Sequence, residues 1–160
     1  MERVLDQLDR LAAGRHAGAR VPADALARPG IARAFGWVLV MLVALVAIGV
    51  VTIATAAWLD GHGETVALVG WMRGVVGLGL TVTLFYFWWR ARDGHVWAWK
   101  RLTLFSKIFP LATLAVAAVP DLLPAWMVTE QILFAMVMLA MAWTLDSRAM
   151  RAAFTARTAH

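Results

Sequence analysis

Residues 35–58 read FGWVLVMLVALVAIGVVTIATAAW, a run without a single charged side chain. At about 1.5 Å per residue, a helix of this length can cross a hydrocarbon core of about 30 Å. Three further apolar stretches follow, at Val66–Trp89, Leu102–Val119 and Ala125–Leu145. The sequence therefore predicts an all-α integral membrane protein, built as a bundle of four transmembrane helices.

The basic residues outside these stretches lie on one side of the predicted membrane only. Apart from Arg73 and Lys107, every Lys and Arg lies in the N-terminal segment, in the loop at 90–101 or in the C-terminal tail. The loops at 60–65 and 120–124 contain none. Because loops rich in Lys and Arg stay in the cytoplasm, both termini and the middle loop are predicted to be cytoplasmic.

Composition narrows the possible functions. Hydrophobic residues make up 62% of the chain and the mean hydropathy is +0.71, whereas a soluble domain is about half apolar. The net charge of +5 could suit nucleic acid, but its one-sided placement indicates membrane orientation, so no nucleic-acid partner is expected. The chain has no cysteine, which excludes disulfides and thiolate metal sites. We expect no metal and no cofactor.

The chain divides into three predicted segments. They are a cytoplasmic N-terminal segment at 1–34, a transmembrane domain at 35–145 and a cytoplasmic tail at 146–160. Residues 1–13 have the apolar spacing of a short amphipathic helix, whose apolar face must be covered by the membrane surface, a partner or a second copy of the chain. Pro22 is predicted to open a second short helix, and Pro29 to close it.

The second apolar stretch is rich in glycine. Gly70, Gly74, Gly77 and Thr81 share one stripe at helical spacing. Small residues on one stripe allow a neighbouring helix to approach closely. We therefore assign these four residues to helix packing rather than to a nucleotide site.

Two opposite charges interrupt the apolar stretches at a similar predicted depth. Arg73 lies about 10 Å from the outer end of the second stretch, and Glu130 lies roughly 8 Å from the outer end of the fourth, by the helical rise. Charges within a membrane are costly and are therefore candidates for function. We predict an Arg73–Glu130 pair, either a buried pair that fixes helix register or a gate, proton site or anion site.

Lys107 is the third charge within a stretch, about one and a half turns from the predicted cytoplasmic end. Its ammonium group can reach inner-leaflet phosphates, or it can pair with Asp146. Polar side chains lie beside it on the third stretch, where interhelical hydrogen bonds are the expected role. These residues are Thr103, Ser106 and Thr113, with Pro110 between them.

Aromatic and methionine residues are predicted to anchor and fill the bundle. Tryptophans near both ends of the stretches, including Trp97 and Trp99, suit a belt at the headgroup level. Four methionines in the fourth stretch are predicted to fill the core. They are Met127, Met136, Met138 and Met141.

Short segments across the chain resemble a family of small bacterial four-helix inner-membrane proteins of unknown function. The segments are Phe35-Gly36-Trp37, Lys107-Ile108-Phe109-Pro110, and Ser147-Arg148 through Ala153-Phe154. The resemblance implies a multi-pass protein of the bacterial cytoplasmic membrane. It implies no activity and assigns no catalytic residue.

The sequence favours a non-enzymatic membrane subunit or scaffold. Such a protein would contact membrane lipids and associate with itself or with a larger membrane complex. The alternative is a small oligomeric transporter or channel that uses Arg73 and Glu130. A lipid-modifying enzyme is a third possibility, with Asp93, His95 and Lys107 as its candidates, but these residues form no nucleophile–base pair that the spacing reveals.

Overall fold

The computed structural model describes residues 20–63, 68–119 and 123–155. These residues form helices and turns without a strand. The helices are α1 (Ala23–Leu26), α2 (Pro29–Gly61), α3 (Leu68–Arg92), α4 (Val96–Ala117), α5 (Ala125–Leu145) and α6 (Arg148–Thr155). The predicted amphipathic helix at 1–13 lies outside the described residues.

Proline sets the start of the first long helix. Pro22 precedes α1, as predicted, but Pro29 opens α2 instead of closing α1. At the first helical position a proline loses nothing, because the N–H that it lacks would be unpaired there. Helix α2 therefore begins six residues before the predicted boundary at Phe35.

The four long helices pack in a ring in chain order. Helix α2 contacts α3 and α5, and α4 also contacts α3 and α5. Neighbours are antiparallel: Gly49 of α2 approaches Leu78, and Phe35, earlier in α2, accepts a hydrogen bond from Trp88, later in α3. Helices α3 and α5 therefore run in the same direction and face each other diagonally.

Three of the long helices are long and apolar enough to cross a membrane. They are α2, residues 70–92 of α3, and α5. Helix α4 has 22 residues but does not reach the same apolarity. Its sequence includes Lys100, Arg101 and Lys107, which lower its mean hydropathy.

One end of the bundle, here called the basal end, holds α1, α6 and the α3–α4 turn. Phe154 of α6 is 1% exposed; its ring stacks on Trp99 at 5.1 Å and meets Phe35 edge-on at 6.3 Å. Met150 is also buried. The segment predicted as a plain tail thus contributes a helix that closes the basal end.

Two parts of the aromatic and methionine predictions need correction. Trp97 and Trp99 are buried, at 4% and 6% exposure, and are core residues rather than belt anchors. Met127, Met138 and Met141 fill the core as predicted, whereas Met136 is exposed. A residue is buried when it lies on the side of its helix that faces the neighbouring helices. The hydropathy of a residue and its position along a helix do not show which side that is, so the burial of Trp97, Trp99 and Met136 could not be predicted from them.

Candidate functional site

Arg73 and Glu130 are in contact, as their similar depths predict. Arg73 Nη1 lies 2.5 Å from Glu130 Oε2, and the two side chains are 18% and 16% exposed. The pair connects α3 with α5 across the diagonal of the ring. It therefore holds together two helices that do not pack as neighbours.

Gln131 extends this pair to a third helix. With its amide oxygen facing the guanidinium, Gln131 accepts a hydrogen bond from Arg73 Nε at 2.6 Å. Its amide nitrogen then donates to the backbone carbonyl of Thr113 in α4 at 2.5 Å. Gln131 is 1% exposed, so both of its polar atoms need partners within the protein. We call Arg73, Glu130, Gln131 and the Thr113 carbonyl the clamp.

The sequence pattern does not single out Gln131. Its signal was an amide within an apolar stretch, next to an acidic residue. An amide carries no charge, so its presence in an apolar stretch is a weaker indication of function than the carboxylate of Glu130. A buried amide nevertheless has donors and acceptor sites to satisfy, and this requirement could have pointed to a contact between helices.

A cavity of about 160 Å³ lies beside the clamp. All four long helices contribute to its wall, and most of the wall is apolar. Arg73 and Glu130 lie on it, together with Gly77, Phe109 and Phe134. Val76 also lines the cavity and is 64% exposed, so the cavity reaches the side of the bundle there.

The glycine stripe of α3 divides into packed and open positions. A Cβ atom added at Gly74 would lie 3.0 Å from Ile53 Cγ1 of α2, so the two helices approach closely there. Thr81 is buried and donates to the Gly77 carbonyl of its own helix. Gly70 is buried as well. A Cβ atom at Gly77 would meet nothing within 4 Å, because this glycine faces the cavity.

Lys107 pairs with Asp146 near the basal end. The Nζ and Oδ2 atoms are 2.5 Å apart, and the two side chains are 49% and 28% exposed. This contact connects α4 with the residue that follows α5. It is much more open than the Arg73–Glu130 pair, so surrounding polar groups can weaken it.

The polar side chains of α4 bond to their own helix. Thr103 donates to the Trp99 carbonyl, and Ser106 donates to the Leu102 carbonyl. Thr113 donates to the carbonyl of Pro110, three residues earlier. The predicted interhelical role of these hydroxyls is therefore wrong, because a hydroxyl in a helix can bond back to the preceding turn.

A buried histidine begins α4 at the basal end. His95 is 3% exposed, and its Nδ1–H donates to the Arg90 carbonyl at 3.0 Å. A backbone bridge joins His95 to Arg20. Burial lowers the pKa of His95 below its ordinary value of 6.5, and the neighbouring Arg90 and Arg20 charges act in the same direction.

The candidate enzyme residues do not form one site. His95 and Lys107 lie on one helix, twelve residues apart, which is about 18 Å of helical rise. His95 bonds to Arg90, and Lys107 pairs with Asp146. Within the part of the chain that the structure describes, no group of three or more His, Asp or Glu side chains could hold a metal ion.

Comparisons with protein-family models, with curated proteins and with solved structures found no match. The resemblance to small bacterial inner-membrane proteins therefore stays a prediction. Function is inferred below from the clamp, the cavity and the distribution of charge.

Proposed function

We propose that this chain is a non-enzymatic, multi-pass subunit or scaffold of the bacterial cytoplasmic membrane. The observation that carries the proposal is the clamp, in which Arg73 pairs with Glu130 and contacts Gln131, and Gln131 reaches the Thr113 carbonyl of a third helix. A buried pair of opposite charges can fix the relative position of the helices that carry it. The result is a rigid bundle that presents a fixed outer surface to lipid and to partner proteins.

Helix directions support four crossings. Helices α3 and α5 run in the same direction, and both are apolar enough to span. If both cross the membrane, the chain leaves α3 on one side and must enter α5 on the other. Helix α4 is the connection between them, and its 22 residues extend about 33 Å. It therefore has to cross as well, with its cations near the basal end.

The charge distribution supports a cytoplasmic basal end. Arg20, Arg92, Lys100 and Arg148 all belong to this end, whereas the described residues of the turn after α2 contain no Lys or Arg. Positive residues favour the cytoplasmic side of a membrane. This orientation places both termini in the cytoplasm.

The mass of the purified protein in mild detergent tests the scaffold proposal. We expect a homo-oligomer or a complex with a membrane partner, together with crosslinks between chains formed in the native membrane. A protein that remains monomeric, with no crosslinked partner in its own membrane, would contradict the proposal.

A small oligomeric transporter or channel is the second candidate, and the cavity beside the clamp favours it. The test is a flux assay in vesicles with Glu130→Gln. Transport predicts that flux is lost while the variant still folds and inserts. Unchanged flux, or loss of folding alone, would assign Glu130 a structural role.

A further inference from the structure

We infer that the cavity beside the clamp binds the end of a linear hydrocarbon chain, which enters from the side of the bundle at Val76. The inference rests on the proposal that the four long helices cross the membrane. It adds a ligand site to a protein proposed above to act through its outer surface.

The cavity wall favours an apolar occupant over water. A buried water needs two to four polar partners. The hydroxyls of Thr52 and Thr113 already donate to carbonyls of their own helices, at 2.9 and 3.0 Å. Arg73 and Glu130 face each other as an ion pair, although Glu130 Oε2 is buried without a hydrogen bond. What remains is an apolar surface formed by residues such as Leu45, Leu80, Phe109 and Phe134.

The size of the cavity suits a chain end. Its volume of about 160 Å³ is close to that of an engineered apolar cavity of about 150 Å³ that stays dry and binds benzene. A cavity that stays empty loses the dispersion contacts of its wall. In a bilayer the surrounding solvent consists of hydrocarbon chains, and the opening at Val76 lies on the side of the bundle, where such chains are present.

Gly77 keeps this space open. The α3 wall of the cavity consists of Arg73, Gly74, Val76, Gly77 and Leu80, and all but Gly74 follow one another at i, i+3, i+4 and i+7. A larger residue at position 77 would project into the cavity without meeting another atom within 4 Å of its Cβ. Gly79 provides a matched control, because its Cβ would also meet nothing and it does not line the cavity.

Photolabelling tests the inference. The probe is a phospholipid with a diazirine at the end of one acyl chain, in vesicles of phosphatidylethanolamine and phosphatidylglycerol. Labelled residues are located by mass spectrometry. We expect labelling of Phe109 in the unmodified protein and in Gly79→Leu. In Gly77→Leu this labelling should fall about tenfold, because the leucine fills the space that the chain would occupy.

Photolabelling of residues on the outer surface of the bundle distinguishes a failure of this inference from a failure of the proposed topology. Leu104 and Leu111 are exposed on α4, at 51% and 67%, and should be labelled in every variant if α4 crosses the membrane. Labels on these two residues without a label on Phe109 would overturn the inference and leave the topology intact. Absence of label from all three would contradict the topology itself.

Two further arms complete the test. A free fatty acid with the same diazirine shows whether the occupant is a phospholipid chain or a single-chain molecule, since either would label Phe109. If Gly77→Leu fails to fold, Gly77→Ala replaces it, and the expected decrease in the labelling of Phe109 is smaller. Equal labelling of Phe109 in a folded Gly77 variant and in Gly79→Leu would overturn the inference.

Discussion

The Arg73–Glu130 contact joins two charges that are more than four-fifths buried. Substitution of either residue should therefore change the stability of the bundle. Glu130→Gln leaves the Arg73 guanidinium without its counter-charge. Removing one partner of a buried pair typically costs about 3 kcal/mol or more. We therefore expect Glu130→Gln to lower the free energy of unfolding by about 3 kcal/mol, measured by denaturant titration in detergent micelles.

The double substitution Arg73→Met with Glu130→Leu gives the control for this prediction. Replacing both charges by apolar side chains of similar size is often nearly neutral. Since the double variant also removes the Arg73 Nε donor of Gln131, we expect its loss of stability to be smaller than the sum of the two single losses, not zero. Strictly additive losses would show that the two charges do not interact across the bundle.

Lys107 should contribute much less. Its side chain is 49% exposed, and exposed ion pairs are worth about 0–1 kcal/mol. Lys107→Gln should therefore change the free energy of unfolding by less than about 1 kcal/mol in the same titration. A loss as large as that of Glu130→Gln would mean that the Lys107–Asp146 contact is far better shielded than its exposure indicates.

His95 should make stability depend on pH. Burial lowers its pKa in the folded state, and the charges of Arg90 and Arg20 add to this effect, while the hydrogen bond to the Arg90 carbonyl and the charge of Asp93 oppose it. Below about pH 6.5 the unfolded chain therefore binds more protons at this residue than the folded chain does. Stability should fall as the pH is lowered through 6.5 toward the lower folded pKa, and level off below it.

Thermal melts between about pH 8 and pH 5 measure this dependence. His95→Gln removes the titrating ring and should flatten the profile, even if its overall stability is lower. An unchanged slope in His95→Gln would locate the pH dependence elsewhere.

At the residue scale, the sequence revealed the charges but not their complete surroundings. Arg73 and Glu130 were predicted as a pair because helical rise converts position into depth, and opposite charges at equal depth attract. The depth of a residue does not show which residues of neighbouring helices its side chain contacts. Gln131 was therefore missed, and so was the cavity, because a cavity results from how several helices fit together.

At the element scale, the two glycines of one stripe should respond differently to the same change. Gly74→Leu places a side chain where Ile53 of α2 already lies, 3.0 Å from the Cβ position. Overpacking of this kind costs about 1–3 kcal/mol. Gly77→Leu fills the cavity instead and replaces a poor helix former, so its stability should be equal or higher.

Melting temperatures of the two leucine variants in one detergent measure this difference. Both substitutions make the same chemical change on the same helix, three residues apart, so each serves as the control for the other. Equal destabilisation would contradict the difference in free space between the two Cβ positions.

Elements at the basal end were the least predictable. Trp97 and Trp99 have the composition of a headgroup belt, but α6 packs beneath the bundle and Phe154 covers Trp99. Helix α6 has only eight residues, too few to be stable alone in water. It exists because Met150 and Phe154 are buried against the bundle. Local sequence does not show such tertiary stabilisation.

At the scale of the whole molecule, the order and direction of the helices support the proposed number of crossings. By length and composition, three of the described helices can span, whereas α4 begins before the apolar stretch at Leu102 and so includes cations that lower its hydropathy. If all four long helices cross, as proposed, the chain enters and leaves the bundle on one side. The distribution of arginines favours the same proposed topology.

Single cysteine substitutions test this topology without background, because the chain contains no cysteine of its own. We expect a membrane-impermeant thiol reagent to label His62→Cys and Leu123→Cys in intact cells, and Asp93→Cys only after the membrane is opened. Leu42→Cys is the control: this position is fully buried and should stay unlabelled in both conditions. If α4 did not cross, Leu123→Cys would behave like Asp93→Cys, and an inverted protein would exchange the two patterns.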